Sequence, residues 1–382
     1  MKVYLDNGAT TQVAKEVAEV IDNMLTKNFG NPSSLHQFGE EANEEIVKAR
    51  ETIAKKINAN PSEIFFTSGG TESDNLAIKG IAYAYMDKGK HIITTEIEHP
   101  AISKTCEHLE KCGFNVTYLS VDKEGFISLE KLENAITDDT ILVSIIHANN
   151  EIGTIQDMKA ISQLCKKKDV LFHTDAVQSF TKVPIDVKAM NIDLLSISGH
   201  KIHGPKGIGA LFIRKGVKVI PLLHGGDQEG KIRSGTENTP GIVGFAKAVE
   251  IISEKDVKQM KELRDRLIDG IQKSVVDAKL NGPKGDKRLA NNVNISFKYI
   301  EGESMLYHLD GKGVAVSTGS ACSSQSLSPS PVLISIGLKP EDAHGSIRFT
   351  LSRYTTKEEI DYTIDSVKEI VENLRKISPL KK

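Results

Sequence analysis

The sequence predicts an α/β protein: a large unit whose mostly parallel sheet is flanked by helices, followed by a smaller α+β unit. Two observations predict it. Between about residues 60 and 250, short β-branched runs alternate with longer amphipathic ones, the pattern of βαβ units covered on both faces. Past a long helical pattern at about 240–275, the chain supplies strands and an amphipathic helix of its own.

The strand-like runs of the large unit are EIFFTS (63–68), HIITTE (91–96), ILVSIIHA (141–148), VLFHTDA (170–176), DLLSIS (193–198) and GALFIR (209–214). Helical stretches AISKTCEHLEKC (101–112) and MKAISQLCKKK (158–168) fall between them. The smaller unit contributes NNVNISF (291–297) and SIRFTLS (346–352). Its last helix, at about 356–376, sets Ile360, Ile364, Val367, Ile370 and Leu374 on one face. No internal repeat is present. The stretch STGSACSSQSLSPSPV (317–332), rich in Ser with prolines, reads as a loop free to move.

Composition narrows the function. Hydrophobic content of 39% and charged content of 26% over 382 residues suit a soluble protein with a sizeable core. Lys and Arg number 49 against 51 Asp and Glu, a net charge of −2 that gives no electrostatic reason to expect nucleic acid or an anionic membrane. The start, MKVYLDNGATT, is not a secretory signal, and no apolar run approaches the ~20 residues of a membrane span. A cytoplasmic protein is expected. Four cysteines make no disulfide framework, and without a C-x-x-C pair they suggest no zinc site. Cys106, Cys112 and Cys165 lie in helical patterns and read as buried or half-buried thiols.

Unusual polar residues gather at the C-terminal ends of the predicted strands: Thr71, His99, Asn149, Asp175 with Gln178, and Lys201. Ligands of open α/β sheets bind at that edge, so these residues mark a site. The loop Ser68-Gly69-Gly70-Thr71-Glu72-Ser73-Asp74 allows close backbone approach, and Thr71 with Asp74 resembles a capping box. A helix starting there offers N–H groups and a positive dipole end to a phosphate; a Gly-Gly turn that only caps a helix is the plainer alternative. The loop is neither G-x-x-x-x-G-K-[ST] nor G-x-G-x-x-G, which disfavours ATP and NAD. Ser198-Gly199-His200-Lys201 follows an apolar strand, where a lysine amine can have the lowered pKa that a Schiff base needs. Asp175, also after an apolar strand, needs a partner, and a pyridinium nitrogen is one. Phosphate cradle, lysine and aspartate together fit pyridoxal phosphate. His200 and His203 as a metal pair lack a neighbouring carboxylate, and no metal is expected.

At this point the motifs YLDNGATT (4–11), NPSSLHQFG (31–39), TSGGTESDNLAI (67–78), EHPAI (98–102), HANNEIGTIQ (147–156), HTDAVQ (173–178), SGHKIHGPKGIGAL (198–211), RSGTEN (233–238), STGSACSS (317–324) and SIRFTLSRYTT (346–356) carry a resemblance. Nearly end to end, the chain resembles the NifS/IscS-like cysteine desulfurases of the class V aminotransferase group. The resemblance implies the aspartate-aminotransferase-like fold type I of pyridoxal-phosphate-dependent transferases. It places the large cofactor-binding domain at 12–255, and a small domain at 1–11 and 256–382 that carries the cysteine loop. It implies that Lys201 carries the cofactor and that Gly70, Thr71, Ser198 and His200 hold its phosphate. Thr236 would reach the phosphate from a second subunit of a homodimer. Asp175 would pair with the ring nitrogen, Gln178 with the ring hydroxyl, and His99 would stack on the ring and move protons. Arg348, helped by Asn149, would clamp the substrate carboxylate.

The same resemblance makes Cys322 the catalytic thiol. It would take the sulfur of L-cysteine as a persulfide, leave L-alanine, and pass the sulfur to an acceptor such as an iron–sulfur scaffold or a tRNA- or cofactor-thiolation enzyme. Two positions depart from the family pattern: Asp227 in place of a third glycine, and Gly8 where Asn is frequent. Neither is expected to touch a residue with a chemical role. The rival readings are transamination or selenocysteine lysis on the same fold, and a cofactor-free sulfur carrier using Cys322. An amino-acceptor requirement, a selenocysteine preference, or a colourless protein would mark them.

Overall fold

The computed structural model describes residues 1–318 and 329–378. After β1 (Val3–Tyr4), the helices α1 (Lys15–Thr26) and α2 (Gln37–Lys56) lead to β2 (Ile64–Thr67). The chain then alternates: α3 (Gly70–Ala84), β3 (His91–Thr95), α4 (Pro100–Lys111), β4 (Asn115–Leu119), α5 (Leu129–Ala135), β5 (Thr140–Ser144), α6 (Met158–Lys167), β6 (Leu171–Asp175), β7 (Leu194–Ser198) and β8 (Gly209–Ile213). Next come α7 (Thr239–Ile251), α8 (Glu254–Ser274), β9 (Ala278–Leu280), β10 (Asn292–Phe297), α9 (Gly302–Gly311), β11 (Val314–Ala315) and β12 (Ser317–Thr318). The described chain continues with α10 (Pro331–Ser335), α11 (Pro340–His344), β13 (Ser346–Thr350) and α12 (Lys357–Ile377).

Among the described residues the large sheet has the order β2-β8-β7-β6-β5-β3-β4, parallel throughout except that β8 runs against both neighbours. Alternate residues of each strand feed two cores. Ile93, Val143, Phe172, Leu195 and Phe212 face α1, α2, α6 and α7. Ile92, Leu142, Leu194 and Leu211 face α3 and α4. Burial on both faces explains why these strands read as continuous apolar runs rather than alternating ones.

The second sheet, β12-β13-β10-β9, is antiparallel and packs with α8, α9 and α12 on a separate core that includes Val3 and Leu5. Capping boxes start α8 at Ser253 with Asp256 and α12 at Thr356 with Glu359. On α12, Ile360, Val367, Ile370 and Leu374 are buried and Ile364 packs against them, as the periodicity predicts.

Some expectations are corrected. The helical pattern at 240–275 is two helices, broken where Ser253 caps α8. Of the run 141–148, β5 takes the residues to Ser144; beyond it Ile145 N and His147 N still donate to the β6 carbonyls of His173 and Asp175, and Ile146 lines the site. Asn115–Leu119 is a strand that the sequence reading passed over. Cys106 and Cys165 are buried, but Cys112 is exposed, because it sits at the C-terminal cap of α4, with its Sγ 3.6 Å from His108 Nε2.

Candidate active site

The C-terminal ends of the parallel strands open into a cavity of about 310 Å³. Its wall contains Gly70 and Thr71 from the start of α3, His99 from the cap of α4, Asp175 and Gln178 at the end of β6, Ser198, His200 and Lys201 after β7, and Arg348 from β13. Nine residues that the sequence marked thus share one chamber. The N-terminal segment adds Gly8 and Ala9, and the turn after β5 adds Asn150.

One end of the chamber suits an anion. The helix α3 begins at Gly70 behind Gly69, whose φ of 153° is open only to glycine, and no side chain caps it. The expected capping box between Thr71 and Asp74 therefore does not form: both lie inside the helix rather than at its cap, and Asp74 is buried. A Cβ at Gly70 would come within 2.7 Å of Val177 Cγ2, so the backbone can lie this close to the end of β6 only as glycine. Ser198 Oγ is buried with no hydrogen-bond partner among the described residues. His200 Nδ1 lies 3.2 Å from Thr10 Oγ1, and burial, with Lys201 nearby, pushes its pKa down to about 4.

The chamber also holds a buried carboxyl. Asp175 Oδ1 accepts from Val177 N at 2.8 Å, and burial raises its pKa to about 6 against the pull of Lys201. Gln178 Nε2 donates to the Gly8 carbonyl at 3.0 Å, and Lys201 Nζ donates to the carbonyls of Gly8 and Ala9 at 2.6 and 2.7 Å. Gly8 therefore touches two residues given chemical roles, and its Cα lies where a Cβ would sit 3.4 Å from Arg348 Cζ. The expectation that this departure from the family pattern touches no such residue is corrected. A backbone carbonyl leaves no mark in a side-chain pattern. Asp227, by contrast, lies on the surface, 3.6 Å from Lys231.

His99 caps α4, its Nδ1 accepting from Ala101 N at 3.1 Å. Burial and the nearby Lys201 charge push its pKa down to about 4, so the ring is neutral with its proton on Nε2. Beneath Lys201 lies Lys182, whose Nζ donates to the carbonyls of Gln178 and Lys201 at 3.0 and 3.3 Å. Burial lowers its pKa to about 7. Sequence reasoning missed Lys182; the one signal was its position in the same strand-end run as Gln178.

Arg348 is 2% exposed; its Nη1 donates to Asn150 O at 3.1 Å and its Nη2 to Asp6 Oδ1 at 3.2 Å, while Nε is buried without a partner. Asn149 is not in the cavity wall. Its amide is engaged by the Ile97 carbonyl and by the N–H groups of Glu151 and Ile152, holding the turn that presents Asn150. Thr236 is exposed and lies outside the wall of this chamber. Cys322 lies outside the described residues.

A family model described as aminotransferase class-V matches residues 3–363. The chain is 55% identical, over all of its length and 97% of the relative, to "Cysteine desulfurase IscS" of Dictyoglomus turgidum. It is 56% identical, over 99% of its length and 94% of the relative, to the protein of the same name from Methanosarcina thermophila. Among solved structures, a "NIFS-like protein" superposes with a TM-score of 0.92 at 42% identity, covering 98% of this chain and 100% of the other. A structure described as SspA in complex with cysteine gives 0.84 at 41% identity, over 93% of this chain and 100% of the other.

Proposed function

The chain belongs to the class-V aminotransferase family, among its NifS/IscS-like cysteine desulfurases, and we propose that its cavity binds pyridoxal 5′-phosphate and converts L-cysteine to L-alanine, passing the sulfur to Cys322. One observation carries the reading: the buried, unpartnered Ser198 hydroxyl and the open amino end of α3 share a chamber with Asp175 and Lys201. That set fits the cofactor group by group, with donors for a phosphate, a carboxyl for a ring nitrogen and an amine for an aldehyde. The orphaned hydroxyl argues for an anionic ligand, because a buried donor without an acceptor is costly.

Bound there, pyridoxal phosphate supplies an electron sink for charge developing on the substrate carbons. Thr71, Ser198, His200 and the first N–H groups of α3 hold the phosphate, and Gln178 faces the ring hydroxyl. Lys201 anchors the cofactor and moves the substrate α-proton through its Nζ. His99 would stack on the ring of the bound cofactor and carries on its Nε2 the proton it would offer. Arg348 takes the substrate carboxylate, its guanidinium aimed by Asp6 and the Asn150 carbonyl; Asn149 acts by bracing that turn.

The Cys322 thiolate attacks the substrate sulfur: a sulfur–sulfur bond forms and the carbon–sulfur bond breaks. The bonding pair goes to the substrate carbon, which takes a proton to complete alanine. The persulfide then serves an acceptor protein, an iron–sulfur scaffold or a thiolation enzyme, in the cytoplasm. Thr236 serves the phosphate of a second subunit, a reading supported by its exposure and by its lying outside the wall of its own chamber. The exposed apolar side chains Phe29, Leu35 and Phe38 at the α1–α2 turn support self-association.

Replacing Cys322 with Ser tests the assignment. The variant is expected to keep the visible absorbance of the lysine-bound cofactor while releasing no sulfide and forming no alanine from cysteine. Normal sulfur transfer by C322S would overturn the nucleophile, and a colourless wild-type protein would overturn the cofactor.

A further inference from the structure

The cavity contains a second buried carboxyl that these steps leave unused. Asp74, the fifth residue of α3, is 1% exposed and lines the same chamber as Asp175. Its Oδ1 is buried and receives no hydrogen bond. The imidazole nearest to it, His173 Nε2 at 3.7 Å, is engaged elsewhere. His173 Nδ1 lies 2.8 Å from Ser144 Oγ, and its Nε2 3.0 Å from Ser196 Oγ. Ser196 stands opposite Asp175 in the β6–β7 register, and its hydroxyl reaches the Asp74 carboxyl. Burial keeps His173 uncharged by pushing its pKa down to about 3. The groups facing Asp74 are therefore a hydroxyl on β7, a neutral imidazole and the Asp175 carboxyl on β6, and the Glu98 carboxyl from the turn before α4. None of them is a cation; the Lys201 charge acts on Asp175.

An ionised carboxylate with a buried oxygen that no donor reaches loses solvation that nothing replaces. A second negative charge in the same low-dielectric wall adds repulsion, and the state of lowest free energy for such a pair holds one proton. Burial and the charge on Asp175 both favour placing that proton on Asp74, while Lys201 favours ionised Asp175.

We propose that Asp74 is a positioning residue for the ring-nitrogen end of the cavity, sharing one proton with Asp175 so that this wall carries a single negative charge, on Asp175, at neutral pH. Ser196, itself held by His173, orients Asp74, and Asp74 acts on the cofactor only through Asp175. The inference rests on assigning this end of the chamber to the pyridine nitrogen, but its primary test needs no cofactor.

The test compares the full-length chain with Asp74→Asn, which has the shape of the protonated acid. In infrared difference spectra of the cofactor-free proteins at pH 7, the wild type is expected to show a protonated-carboxyl band that D74N lacks. On titration, the upper of the pair's two ionisations gives way to a single one, lower by about one pH unit. After reconstitution with pyridoxal phosphate, the pH midpoint of the visible band moves down in the same sense. A difference spectrum in which no protonated carboxyl is lost overturns the proposal. Absence of a visible band in both proteins instead overturns the cofactor assignment and leaves the infrared result standing. Should D74N not fold, Ser196→Ala removes the hydroxyl that favours ionised Asp74 and raises the upper ionisation; an unmoved midpoint in that variant also overturns the proposal.

Discussion

Ser198 ends a fully buried strand and carries a hydroxyl that nothing among the described residues satisfies. A hydrogen bond to a charged group contributes about 1.5–3 kcal/mol. Ser198→Ala is therefore expected to weaken pyridoxal phosphate binding by roughly 10- to 100-fold with little effect on the melting temperature, as measured by titrating cofactor absorbance. The role of Ser198 was implied only by the family resemblance, whereas Lys201, Asp175 and His99 were legible because a polar side chain directly after an apolar strand stands at the edge where α/β sheets bind their ligands. Gly8, Asn150 and Asp74 were not. Gly8 works through its carbonyl, Asn150 is told from Asn149 only by which way the turn faces, and Asp74 sits in a helix start that read as a capping box.

The turn between β3 and α4 illustrates what an element adds to its residues. Glu98 is buried there, accepting from the Thr95 hydroxyl at 2.6 Å and from Ile146 N at 3.0 Å through the same oxygen, and its other oxygen has no partner. Burial raises its pKa to about 8, so the folded protein binds this proton more tightly than the unfolded chain. The resulting stability is fully present below the ordinary value of 4.5 and is lost as pH rises through about 8. Glu98→Gln is expected to match the wild type in thermal unfolding at pH 4 and to exceed it at pH 7, by on the order of 3 kcal/mol. Equal pH slopes for the two proteins would refute that account.

Other elements were partly readable. The apolar runs located six strands of the large sheet but not the reversal of β8, because burial on both faces hides strand direction. The break between α7 and α8 was written as Ser253 followed by Asp256, a capping signal hidden inside a continuous helical period.

At the scale of the molecule, two buried arginines hold the segment of the smaller unit that pairs with the turn after β5. Arg288 is 2% exposed and donates to the carbonyls of Pro283, Asn292 and Asn281 and to Asn292 Oδ1. Arg264 donates to the carbonyls of Arg288 and Leu289. The segment they shape pairs with the turn that carries Asn150: Leu289 N donates to Gly153 O, and the Asn292 and Asn294 amides donate to Glu151 O. Arg288→Met would strand several carbonyls without donors. It is expected to cost about 3–5 kcal/mol and to weaken cofactor retention from outside the cavity, readable as a lower melting temperature with a raised dissociation constant. No sequence pattern announced this link, since an arginine that satisfies backbone carbonyls looks like any surface arginine.

The amino-terminal strand has a consequence for how the chain is made. Gly8 and Ala9 wall the chamber, yet Asn7 Nδ2 donates to the carbonyl of Thr350, 343 residues away. On the ribosome, these first residues emerge long before the strand that seats them. A nascent chain can form its large sheet early, but it cannot complete the chamber until β13, which carries Thr350 and Arg348, has also been made. Sulfur chemistry is thereby withheld from every chain that has not yet reached that strand.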